Sequence, residues 1–223
     1  MNVDITVRGS FTAFRAPERG TVRMTIGLEG PRADEVSAGV ARQARTVSDS
    51  VRALHDPEAG PVTWWSSSQL RTWASRPWNK DGKRLPLVHH AAVDLRAKFA
   101  DFGVLGQWLG RTMDLAGVAV DGIDWTLTEH HRAELVADVR TKAVLDARVR
   151  AEAYAAALGL SEVRAVAIAD AGMLGDGLEP RGGGESAMFA RAAGGHGQVD
   201  FQPEDVSVQV HVDARFVAEG VSA

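Results

Sequence analysis

Residues 206–216 read VSVQVHVDARF. Val206, Val208, Val210, Val212, Ala214 and Phe216 fall on one face of an extended chain, and Ser207, Gln209, His211, Asp213 and Arg215 fall on the other. Alternation with a period of two marks a strand with one buried and one hydrated face, which antiparallel sheets tolerate and doubly covered parallel sheets do not. Such a strand needs a helix layer on its apolar side, and the longest periodic segment supplies one. From about Glu129 to Leu158 the residues Leu135, Val139, Ala143, Ala147, Ala151, Tyr154 and Leu158 recur at three- and four-residue spacing, predicting a long amphipathic helix. Thr128 is placed to cap its start, and Gly159 to end it in a left-handed turn. Asp138 with Lys142 and Asp146 with Arg150 put acid before base at i,i+4 on the solvated side.

The rest of the chain repeats the two patterns. Val3, Ile5, Val7 and Phe11, then Val22, Met24, Ile26 and Leu28, predict two strands about the turn signal Pro17-Glu18-Arg19-Gly20, read as a β-hairpin. Gly30-Pro31 introduces a helix with Val36, Val40, Ala44, Val47, Val51 and Leu54 on its buried face. A strand is expected from Val62 to about Ala74, a loop from Arg76 to Pro86, and a strand from Val88 to Phe99. Asp101 can cap a helix whose stripe is Leu105, Trp108, Leu109, Met113 and Ala116, and Ile123, Trp125 and Leu127 predict a short strand. After a strand near 164–169, residues 172–200 are glycine-rich and read as a flexible excursion. The fold class is therefore α+β, a largely antiparallel sheet with three helices on one face. Strand-helix-strand units in both halves leave a pseudo-duplicated, two-lobed form open, within one domain over 1–223.

Composition narrows the function classes. The chain has 223 residues, 45% hydrophobic and 24% charged, enough for a full core without staples. A net charge of -4 provides no global attraction to nucleic acid or an anionic membrane. With no cysteine there is no thiol nucleophile, disulfide or sulfur-ligated metal. Asp4 and Arg8 interrupt what a signal peptide would need as its apolar region, so a cytoplasmic location is expected, with no membrane partner.

The order of elements also carries a resemblance. Ile5-Thr6-Val7-Arg8-Gly9 followed by Ala16-Pro17-Glu18, the helix opening Ala33-Asp34-Glu35-Val36, the helical phrase from Arg140 to Tyr154 and the closing strand from Pro203 resemble the SIMPL-domain family over nearly the whole chain. The resemblance implies an α+β fold, assembly into rings or larger homo-oligomers, and no established catalytic residues. Many bacterial relatives are exported and linked to envelope or oxidative-stress roles. The segment 64–84 matches nothing in that pattern.

Candidate chemistry is sparse. His89 and His90 point to opposite faces of a strand, and His130 and His131 lie about 100° apart on a helix, so neither pair chelates readily. Gly184-Glu185-Ser186 lacks the second glycine of a nucleophile elbow, Gly175-Asp176-Gly177 lacks a phosphate-loop ending, and Asp121 and Asp124 read as turn residues. No cofactor, metal or catalytic residue is expected. The unusual segment is Trp64, Trp65, Arg71, Trp73, Arg76, Trp78, Lys80, Lys83 and Arg84, whose five cations face only Asp81 between 69 and 84. Tryptophan beside arginine suits a protein interface, and also base stacking. The expectation is a non-enzymatic, self-assembling structural or protein-interaction module with this segment as its contact surface. The alternative is a ligand or single-stranded nucleic-acid binder, with nucleic acid disfavoured by the overall charge.

Overall fold

The computed structural model describes residues 2–80, 84–174 and 202–220. The elements run β1 (Asn2–Arg15), β2 (Arg19–Gly30), α1 (Ala33–Arg52), β3 (Val62–Ser67), β4 (Arg71–Ser75), β5 (Val88–Phe99), α2 (Phe102–Met113), β6 (Val118–Thr126), α3 (Glu129–Ala157), β7 (Glu162–Asp170) and β8 (Val206–Glu219). Every pairing between these strands is antiparallel, and the fold is α+β as the alternation predicts. The strands divide between two sheets, and the chain between two compact units.

Of the described residues, the first unit comprises 2–16, 127–174 and 205–220. Its sheet has the order β1-β8-β7, with α3 on one face. Here the expected opening hairpin is corrected: β1 pairs along its length with β8, from Asn2 opposite Glu219 to Arg15 opposite Val206. Loop-closure entropy grows only logarithmically with length, so the matched apolar rows of β1 and β8 outweigh the nearness of β2 in sequence. Ile5 lies opposite Phe216 and Val7 opposite Ala214, all four buried.

The contact of α3 follows a single i,i+4 ridge, Val139, Ala143, Ala147, Ala151 and Ala155, all essentially inaccessible. Tyr154 and Leu158, expected on that stripe, are exposed because the four-residue ridge continues through Ala155 instead. Thr128 Oγ1 accepts from the His131 amide, the expected N-cap.

Asp213 is a second correction. Its alternation places it on the hydrated face, yet it is buried. The Arg8 guanidinium donates to both its oxygens at 2.7 and 3.1 Å, and the Gly172 amide donates at 2.6 Å. The hydrogen bonds from Arg8 hold the Asp213 carboxyl below the ordinary carboxylate range, and the same contact raises Arg8. A folded-state value below the unfolded one contributes stability that is present above pH about 4 and lost as pH falls through the depressed value. Asp213→Asn should therefore cost about 2 kcal/mol at neutral pH, and much less in acid, by urea denaturation at both pH values.

Of the described residues, the second unit comprises 17–80, 84–126 and 202–204. Its sheet has the order β3-β5-β2-β6, and β4 also pairs with β5. Val22, Met24 and Ile26 of β2, with Ala91, Val93, Leu95, Ala97 and Phe99 of β5, face the core shared with α1 and α2. The second helix starts as expected, with Asp101 Oδ1 accepting from the Val104 amide at 2.9 Å. Its fourth buried position is Thr112 and not Met113, because the Thr112 hydroxyl is satisfied by the Trp108 carbonyl at 2.7 Å. The strand expected from 62 to 74 is broken in two around Ser68, whose amide donates to the Asp94 carbonyl and whose hydroxyl accepts from the Asp94 amide. The last strand of this unit starts earlier than expected, at Val118, because its register shifts between Arg23 and Met24. That shift moves the inward phase from Val118 and Val120 to Ile123 and Trp125, which hides the strand from a strict period-two reading. The excursion expected at 172–200 lies, beyond Leu174, outside the described residues.

Candidate functional site

The face of the five-stranded sheet opposite the helices carries Trp64, Arg71 and Trp73 of the expected contact segment. Antiparallel register places directly opposed residues on one face in rows across the strands. Trp73, His90 and Glu29 form one such row, and Trp64, Lys98 and Thr21 another. Lys98 Nζ lies 5.8 Å from the centroid of the Trp64 ring, which is 44% exposed.

Between these rows lies a charged group. Arg71 donates to both oxygens of Asp94 at 2.8 Å. Thr25 Oγ1 is 3.3 Å from Asp94 and 2.9 Å from Asp121, and Arg23 Nε is 3.0 Å from Asp124. Asp121 and Asp124 are thus strand residues with specific partners, which corrects their reading as a turn. Arg23, Asp94, Arg96 and Asp121 line a shallow groove of about 280 Å³. Among the described residues, no cluster of three or more His, Cys, Asp or Glu side chains is placed to hold a metal ion.

The nine residues of the segment do not share one surface. Trp64, Arg71 and Trp73 lie on the open face. Trp65, adjacent to Trp64, turns to the helix side, where it packs against the core beneath the Arg52 guanidinium. Arg76 donates to the Leu85 carbonyl at 2.6 Å and so closes the loop that follows β4. Trp78, at 86%, is the most exposed large apolar side chain among the described residues. Lys80 and Arg84 are exposed, and Lys83 lies outside the described residues. Gly184, Glu185 and Ser186 likewise fall outside them, as do Gly175, Asp176 and Gly177.

One group escapes any linear reading. The His90 ring stacks on Trp73 with centroids 5.2 Å apart and planes 7° from parallel. Its Nε2 is 2.9 Å from Ser75 Oγ and its Nδ1 is 3.4 Å from Glu29 Oε2. Four residues from three strands meet here, and nothing in their linear spacing announces it. His89 lies on the opposite face, as adjacent strand residues must.

Two sheet-and-helix units, the first closed by pairing the opening strand with the final one, define the class of protein. A family model described as SIMPL, Protein of unknown function (DUF541), matches residues 5–216, and the chain belongs to that family. No curated protein matches the chain. Among the described residues, no helix is long and apolar enough to cross a membrane.

Proposed function

We propose that the chain works by association, as a self-assembling structural or protein-interaction module whose contact edge is β4. The observation that carries this is the exposure of that strand: Arg71, Thr72, Trp73, Ala74 and Ser75 are all exposed, and among the described residues β4 pairs with β5 alone. An edge strand presents a row of outward N–H and C=O groups, which invites a further strand. Trp73, 51% exposed, and Trp78 add aromatic area beside that edge, the kind of anchor that dominates interface energies. The family resemblance to assembling proteins points the same way. Engagement of Arg71 by Asp94 and of Arg76 by Leu85 takes two of the segment's cations away from any phosphate backbone, which weighs against the nucleic-acid alternative.

Replacing Trp64, Trp73 and Trp78 together with serine should lower the mass measured by light scattering to that of one chain, with the far-ultraviolet circular dichroism nearly unchanged. Trp65 is left in place because it belongs to the core. A wild-type protein that is monomeric at micromolar concentration, or a triple variant that keeps the wild-type mass, would refute the proposal. Tryptophan quenching by an oligonucleotide that weakens with salt would favour the ligand-binding alternative instead.

A further inference from the structure

We infer that Ser75 is an activated nucleophile: its hydroxyl, the His90 imidazole and the Glu29 carboxylate form a three-residue relay able to accept the acyl group of a small activated ester. This goes beyond the assembly reading and does not depend on it, because strand addition at β4 uses the sheet edge whereas the relay lies on the open face.

The geometry meets the requirements of the chemistry one group at a time. A serine hydroxyl is a weak nucleophile until a base is placed to take its proton, and Ser75 Oγ stands 2.9 Å from His90 Nε2. The imidazole serves as that base only in the tautomer that leaves Nε2 unprotonated. A carboxylate beside Nδ1 favours this tautomer through its charge, and Glu29 Oε2, on a largely exposed side chain, is 3.4 Å from Nδ1 as an ion-pair contact. The ring must also be held in orientation. Trp73 covers one face of it in a nearly parallel stack, and the His90 side chain retains only 19% of its exposure.

Register accounts for the placement. Trp73, His90 and Glu29 are directly opposed across β4, β5 and β2, so the acid and the stacking ring flank the base on a hydrogen-bonded platform. Ser75, two residues beyond Trp73, is the diagonal neighbour of His90 on the same face, within cross-strand reach. Two nearby hydroxyls have different partners: Thr25 on the same face meets Asp94 and Asp121, and Ser68, between β3 and β4, donates to the Gln69 carbonyl. They are internal controls.

The exposed strand sets the substrate class. A compact acyl donor with a good leaving group can reach Ser75 Oγ from solvent. In the first step Oγ bonds to the acyl carbon, the bond to the leaving oxygen breaks, and the serine proton passes through His90 Nε2 to that oxygen. In the second, water adds to the acyl carbon, gives its proton to His90, and releases the carboxylic acid as Oγ recovers a proton.

The test uses the full chain and a fluorophosphonate probe, with the modified residue located by peptide mass spectrometry. Labelling should fall on Ser75 in preference to every other serine, and Ser75→Ala should abolish it. His90→Gln should slow it by about a hundredfold or more, the usual contribution of a general base. Glu29 is a positioning residue, so Glu29→Gln should slow labelling while Glu29→Asp, which keeps a carboxylate, retains more of the rate. Thermal melts establish that each variant is folded. Labelling spread evenly over several serines, or a Ser75 rate untouched by His90→Gln in a folded variant, would overturn the inference. Light scattering on the same samples reports assembly separately, so failure of one proposal is distinguishable from failure of the other.

Discussion

Gly9→Val should lower unfolding stability by about 3 kcal/mol, the upper range for overpacking a close contact. A Cβ at position 9 would lie 2.1 Å from the Ala143 carbonyl oxygen and 2.6 Å from the Ala147 amide nitrogen. Both neighbours are helix backbone, which cannot rotate aside as a side-chain tip can. The helix would have to lift from the sheet, and the Ser10 amide would lose its 2.9 Å bond to Asp146. The buried alanine ridge would lose its contact with β1 at the same time. Gly110→Ala is the matched control: nothing lies within 4 Å of a Cβ added there, and the position is an exposed one in α2. That substitution should stabilise by about 0.5 to 1 kcal/mol through helix propensity alone. Urea denaturation of both variants measures the contrast. A Gly9→Val protein as stable as wild type would mean that α3 does not lie as close to β1 as these distances place it.

Trp108→Ala should cost about 4 kcal/mol, within the range for emptying a large aromatic site. Trp108 is 1% exposed, and its ring lies 5.2 Å from that of Phe99, where α2 meets the sheet. Its Nε1 donates to Ser50 Oγ at 2.9 Å and so ties α2 to α1. Trp108→Phe separates the two contributions. It keeps an aromatic ring in the site, loses the hydrogen bond, and should cost about 1 to 2 kcal/mol. Ser50 would not be stranded, because its hydroxyl still donates to the Val47 carbonyl at 2.7 Å. Equal losses for the two variants would show that the tie to Ser50, and not the volume of the ring, carries the stability.

Local periodicity made several elements legible from residue order alone. The long helix, the closing strand, the strand from Val88 to Phe99 and the Asp101 cap all follow from one-sided burial or from a single capping side chain within a few residues. Those signals are short-range, and neighbouring residues suffice to produce them. Alternation states which residues of a strand share a face, but not which strand lies alongside. The partner of β1 was therefore decided by pairing across nearly the whole chain, and the same pairing turned Asp213 from a solvent-facing residue into a buried ion-paired one. The relation between Trp64 and Trp65 was legible as opposition of faces, while the side that belongs to the core was settled only by the helix layer. Ser75, His90 and Glu29 are the extreme case, three ordinary residues on three strands that carry no motif. Register alone brings them into one row and its diagonal, because cross-strand neighbours are set by pairing between distant segments and leave no local periodic trace.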